Sequence, residues 1–206
     1  CGEILILGYT SVKRASDLEK FDLIQTLTDF EYAKDLNSQN VALKAHIKID
    51  TGMHRLGFSC KEVMAVKKVF EMKNLKICGI YTHLCCADSM LPDDIAFTRK
   101  QIDNFYHLTD DLKDRKINIP KVHIQSSYGL LNYPDLTCNY IRVGIALYGV
   151  LSSPNDDTNL KLDLRPVFSL KSRVVSIRQV NKGDSVGYGR DFVAERDSRI
   201  AIIPIG

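Results

Sequence analysis

The stretch Lys44-Ala45-His46-Ile47-Lys48-Ile49-Asp50-Thr51-Gly52-Met53-His54-Arg55-Leu56-Gly57 decides how this chain is read. Side chains alternate along a β-strand, so Lys44, His46, Lys48 and Asp50 share one face while Ala45, Ile47 and Ile49 share the other. In a parallel barrel the apolar face lies under helices, which turns the ionisable row toward the barrel interior near the end that carries chemistry. Such groups are costly to bury unpaired, so the row is expected to neutralise itself or to bind an anion. An edge strand with a solvated polar face has the same spacing, and these residues alone leave both readings open.

Working outward, short apolar runs rich in branched residues recur at Ile4 to Gly8, Leu23 to Leu27, Ala45 to Asp50, Ile77 to Thr82, Val122 to Gln125 and Tyr140 to Leu147. Longer stretches of helical period separate them. Lys61 to Phe70 sets Val63, Val66, Val69 and Phe70 on one face, and Ile95 to Leu112 does the same with Ile102, Phe105, Leu108 and Leu112. The alternation predicts an α/β fold, a partial (β/α)8 TIM barrel with about six of the eight βα units, over residues 1–163. After the polar loop Asn155-Asp156-Asp157-Thr158-Asn159 the texture changes. Phe168, Leu170, Ser172, Val174 and Ser176, and then Arg199 to Ile205, alternate as strands do, and residues 164–206 read as the start of a mostly β domain. Cys1-Gly2-Glu3 leads straight into an apolar run and Ile202 to Gly206 is as apolar as a core strand, so both ends read as cut from something longer.

Composition narrows the function classes. With 45% hydrophobic and 26% charged residues the chain has enough apolar material for a sizeable core. A net charge of +3, with cations scattered among acids, argues against nucleic acid and for a small-molecule ligand. No apolar run reaches membrane-spanning length. The six cysteines form no C-x-x-C pair and no zinc spacing, so no metal is expected, and reduced thiols point to the cytoplasm.

Five motifs in order resemble the PLP (pyridoxal 5'-phosphate) enzymes of the alanine racemase family. They are the H-x-K-x-D-T-G-M-x-R-x-G pattern of His46 to Gly57; Tyr81-Thr82-His83; His123-Ile124-Gln125-Ser126-Ser127, similar to H-x-x-N-S; Arg142-Val143-Gly144-Ile145 with Leu147-Tyr148-Gly149; and Gly183-Asp184-Ser185-Val186-Gly187-Tyr188-Gly189, similar to the catalytic tyrosine loop. Within that family His123 to Leu136 and Met53-His54-Arg55 look closest to the serine/alanine racemases of glycopeptide (vancomycin) resistance clusters, whose parents carry a membrane domain that this sequence does not display.

The resemblance implies racemisation of alanine, serine or both by two bases on a PLP-bound substrate, within a homodimer that shares its sites, supplying D-amino acids for peptidoglycan. Tyr188 would be one base, reaching the site from the partner subunit. A phenol titrating near about 10 needs cationic neighbours to act at neutral pH, and His83 and Arg55 are the candidates. Arg142 would face the pyridine nitrogen, donating only and so keeping it unprotonated, with His123 supporting it. Ser127 and the amides of Gly144 and Ile145 would cradle the phosphate. Arg55 would also hold the substrate carboxylate, braced by Lys48, which in many members is carbamylated. Without the family, Tyr188 reads as a turn tyrosine between glycines, and Ser127 and Gly144 as loop positions.

The sequence also departs from the pattern. No lysine stands in the cofactor motif K-x-x-A/x-Y-G, the later Y-x-D-G segment does not occur, and Ser126 replaces asparagine. On its own, then, this stretch is expected to be inactive. Two alternatives are a PLP-dependent decarboxylase, against which Arg142 argues, and a non-catalytic PLP-binding protein, against which the β segment carrying Tyr188 argues.

Overall fold

In the computed structural model, which describes residues 2–205, the decisive stretch opens as strand β3 (Leu43–Asp50), with Ala45, Ile47 and Ile49 fully buried. Around it run β1 (Ile4–Ile6), β2 (Leu23–Leu27), β4 (Phe58–Ser59), β5 (Leu75–Tyr81) and β6 (Val122–His123). Every pairing in this sheet is parallel, in the order β1-β2-β3-β5-β6 with β4 attached to β3. The fold is a half-barrel of parallel strands followed by β-rich C-terminal strands.

Local chemistry explains the helices. In α2 (Phe30–Asn37) the Asp29 carboxylate accepts from the Tyr32 amide at 2.8 Å, and Tyr32, Ala33 and Leu36 face the core. Helix α3 (Val63–Phe70) buries Val66 and Val69. Helix α4 (Pro92–Asp114) begins three residues before the expected Ile95, because Pro92 fits the first turn and Asp93 and Asp94 favour a helix N-terminus. Its buried stripe runs Thr98, Gln101, Ile102, Phe105, Leu108 and Leu112. The short helices α1 (Ala15–Lys20) and α5 (Ser127–Asn132) complete the layer. No helix among the described residues is long and apolar enough to cross a membrane.

The loop closing the decisive stretch depends on Gly57. Its φ is +121°, and a Cβ there would lie 2.8 Å from the Asp50 amide nitrogen and 3.0 Å from the Lys48 carbonyl oxygen. Both are backbone atoms that cannot step aside. Gly57→Ala is expected to cost roughly 2–4 kcal/mol in chemical denaturation of the full-length protein. A loss under about 0.5 kcal/mol would contradict this reading.

Two expected strands are corrected. The run Tyr140 to Leu147 makes only one bridge, Ser126 to Arg142, and then turns into a 3-10 helix at Ile145–Tyr148. Gly144 (φ −113°, ψ −95°) leaves extended space, and its amide turns to the Ser127 hydroxyl instead of a neighbouring strand. The second correction lies beyond Arg165, where a separate compact unit begins at Pro166. There the strand is β7 (Ser176–Val180), which starts at Ser176, where the expected run from Phe168 ends. It pairs antiparallel with β10 (Ser198–Ile202), all five residues of which are taken by Ser176 to Val180. β10 also stops before Pro204, which has no N–H to give a ladder. Between them β8 (Ser185–Val186) pairs with β9 (Phe192–Val193), and the connecting loop carries Tyr188 between Gly187 (φ 83°) and Gly189 (φ 68°).

Candidate active site

The inward face of β3 and the ends of β5 and β6 meet in a string of hydrogen bonds. His46 Nδ1 lies 2.8 Å from His123 Nε2, and His123 Nδ1 lies 2.6 Å from Arg142 Nη1. A guanidinium only donates, so His123 Nδ1 accepts; His123 therefore carries its proton on Nε2 and gives it to His46 Nδ1. Arg142 Nη2 donates to the Thr82 and Ile124 carbonyls at 2.7 and 3.1 Å and approaches His83 Nδ1 at 3.3 Å. Tyr81 stacks on His123 with centroids 4.6 Å apart, and the Arg142 guanidinium lies 4.9 Å from the Tyr81 ring. The His46 ring fits because Gly79 lies beneath it; a Cβ there would come within 2.8 Å of Cε1.

Burial sets the charges. It lowers His123 to about 2, helped by Arg142 and His46, and lowers His46 to about 4. His83 is held at about 4 by burial, then by Arg142, Arg55 and Lys48. Arg142 is pulled down by burial to about 10, still cationic at neutral pH. With its pKa at about 4, the His83 imidazole is neutral near pH 7 in this chain.

These buried imidazoles make stability depend on pH. Their ordinary pKa is 6.5, whereas the folded chain holds His46 at about 4 and His123 at about 2. Below pH 6.5 the unfolded state binds more protons, so stability falls with falling pH, by up to about 1.4 kcal/mol per unit for each group. The denaturant midpoint should drop steadily from about pH 6.5 to 4.5. A midpoint that stays level over that window in the wild type would refute the neutral pair.

Within the ionisable row only Lys48 and Asp50 attract each other, and the hydrogen bonds and ion pairs of the row go elsewhere. Lys44 pairs with Asp22 at 2.7 Å, and buried Lys48 donates to the Leu56 carbonyl at 2.6 Å. Burial lowers the Lys48 pKa against the pull of Asp50, and Arg55 and Arg142 lower it further. Asp50 accepts from the Gly52 and His54 amides, both at 3.0 Å, and these bonds with the nearby His54 and Lys48 outweigh burial and lower its pKa. It thus serves as the cap of the loop that leads to exposed Arg55. Each charge found a partner outside the strand, which spacing within the strand could not reveal.

Ser127 opens α5 beside this string, and its hydroxyl accepts from the amides of Gly144 at 3.0 Å and Ala146 at 3.3 Å. The amide beside Gly144 that turns to the hydroxyl is thus Ala146's, while Ile145 lines the adjoining cavity. That cavity, of about 330 Å³, also borders His83, Cys85, Ser127 and Arg142. The role of Tyr128 was not foreseen: its hydroxyl contacts the Asp156 carboxylate and accepts from the Ser152 amide at 2.7 Å, tying down the segment after the 3-10 turn. Tyr188 belongs to the second unit and its side chain is fully exposed. Among the described residues no group of three or more His, Cys, Asp or Glu is placed to hold a metal ion. Cys1 lies outside the described residues, and the other five cysteines are free thiols.

The family model for the alanine racemase N-terminal domain matches residues 1–152, and that for the C-terminal domain matches residues 167–206. An amino-acid racemase of Enterococcus faecalis is 54% identical over 99% of this chain and 29% of its own length. A serine/alanine racemase of Enterococcus gallinarum is 40% identical over 98% of this chain and 29% of its own. The solved alanine racemase of Clostridium difficile 630 superposes with a TM-score of 0.82 at 31% identity, covering 100% of this chain and 55% of that one. The chain thus spans between about a third and about half of the relatives it matches. With both family domains matched in order along nearly its whole length, the chain belongs to the alanine racemase family.

Proposed function

We propose that the whole protein containing this chain is a PLP-dependent racemase of alanine, serine or both, working with two bases and supplying D-amino acids for cell-wall precursors. The observation that carries this reading is Arg142, a half-buried cation tied to His123, Thr82 and Ile124 beside the Ser127 hydroxyl. PLP fits these residues. A hydroxyl and the neighbouring Gly144 and Ile145 amides suit a phosphate, and nothing among the described residues lies within 4 Å of where a Gly144 Cβ would stand.

When bound, PLP would supply the electron sink that acidifies the substrate α-carbon. Ser127 and the Gly144 and Ile145 amides would hold its phosphate, Ile145 lining the same cavity as Ser127 and Gly144. Arg142 would donate to the pyridine nitrogen, and because a guanidinium does not give up its proton, that nitrogen would stay unprotonated and the sink would stay moderate. That favours returning a proton to carbon over side reactions, and it weighs against a decarboxylase. Arg55 would orient the substrate carboxylate, with Lys48, carbamylated or not, on the strand before it. Tyr188 Oη, contributed by the second subunit of a homodimer, would take or give the α-proton on one face. The match of residues 167–206 to the C-terminal domain of racemases weighs against a non-catalytic PLP-binding protein.

The test is to supply full-length protein with PLP and L-alanine or L-serine and follow the D-isomers. Formation of either supports the reading, and the ratio of rates names the substrate. PLP bound tightly with no D-isomer from either amino acid would reject it.

A further inference from the structure

Cys85 and Cys86 lie in the loop after β5, separated from its end by three residues, and both thiols rest on one face of α4. Cys85 Sγ lies 3.4 Å from Gln101 Oε1, and Cys86 Sγ lies 3.4 Å from Thr98 Oγ1. Thr98 and Gln101 are three residues apart on the buried side of that helix, so the two thiols are anchored at neighbouring positions of one helix face. The Gln101 carbonyl also accepts from the Cys85 amide at 3.1 Å, which fixes the turn. Burial raises the Cys85 pKa, and the adjacent Cys86 thiol, hydrogen-bonded to it, raises it further. Cys85 is nonetheless exposed, and it borders the cavity shared by Ser127 and Arg142. Cys60 and Cys78 stand apart, each bonded to a backbone carbonyl.

We propose that Cys85 and Cys86 form a dithiol site for thiophilic trivalent arsenic at the mouth of the Ser127 cavity, and that filling it obstructs PLP. Pyramidal arsenic(III) takes neighbouring sulfur ligands, as two adjacent thiols held against one helix face provide. With a hydrated phenylarsine oxide, each sulfur forms an S–As bond as an As–OH bond breaks. Each thiol proton leaves with a hydroxide as water, and nothing is oxidised or reduced. Protonated thiols therefore suffice. The obstruction of PLP rests on the cofactor reading above; the arsenic site does not.

The experiment treats full-length protein with phenylarsine oxide, washes it with excess 2-mercaptoethanol, and reads intact mass and PLP absorbance. The expected result is one adduct that survives the monothiol, leaves with dithiothreitol, is lost in Cys85→Ser and in Cys86→Ser, and persists in Cys60→Ser and Cys138→Ser. The loaded protein should bind PLP at least about tenfold more weakly than the unloaded. No monothiol-resistant adduct on the wild type, or one that survives in both serine variants, would overturn the site. Unchanged PLP affinity after loading would overturn the obstruction. Unloaded protein that binds no PLP would instead reject the cofactor reading, and the mass spectra would still decide the arsenic site.

Discussion

Tyr188→Phe is expected to lower racemisation by about 10²–10⁴-fold, the usual contribution of a positioned acid or base, while leaving PLP affinity within about twofold. The side chain is fully exposed in this chain and removing its hydroxyl strips no core contact, so the melting temperature should move by less than a degree or two. The split between turnover and cofactor binding is the informative part. A turn tyrosine held between Gly187 and Gly189 for its backbone would give a variant that races as fast as the parent. One that lost PLP and turnover together would show that Tyr188 builds the cofactor site instead of moving a proton.

Replacing Arg142 should do the reverse and damage both. Its guanidinium serves the His123 ring, the Thr82 and Ile124 carbonyls and His83 at once, joining β5, β6 and the segment after α5. Arg142→Ala leaves those acceptors without their donor, at a cost of roughly 2–4 kcal/mol, and removes the cation proposed for the pyridine nitrogen. Racemisation should fall at least about 100-fold, with PLP bound more weakly. Arg142→Lys keeps a charge but not the planar fork and should recover less than a tenth of the wild-type rate. The relief of His123 gives a separate readout. With the neighbouring cation gone, its imidazole should titrate closer to the ordinary range in an NMR pH series. A lysine variant with full activity would sink the assignment, since a point charge would then suffice.

How much of this was legible in the sequence follows from where each partner lies along the chain. Ala45, Ile47 and Ile49 declared a buried strand face by alternation, and the stripe of α4 declared itself by helical period. Both signals are local. The string from His46 to Arg142 is not, because its bonds span 77 residues in one step and 19 in the next. Spacing within β3 therefore suggested that the charges answer one another, when Lys44 answers Asp22 and Lys48 answers a carbonyl in its own loop. Tyr140 to Leu147 is apolar enough for a strand, but the Ser127 hydroxyl, brought near by the fold, captures the Gly144 and Ala146 amides. Of the residues the motifs named, the fold brings His46, His83, His123 and Arg142 within one string of contacts, a tertiary relation that periodicity lacks. Tyr128 lies within the His123 to Leu136 stretch, but its tie to Asp156, 28 residues away, is tertiary and left no local signal.

The central claim is a proton exchange at the substrate α-carbon by two separate bases, and the most direct measurement follows L-alanine in D2O by NMR with full-length, PLP-loaded protein. Two bases predict that the first D-alanine formed carries deuterium at the α-carbon while the remaining L-alanine keeps its proton. Protium retained in the first D-alanine would point to one shuttling base, and an α-proton that never exchanges while PLP stays bound would contradict the account altogether.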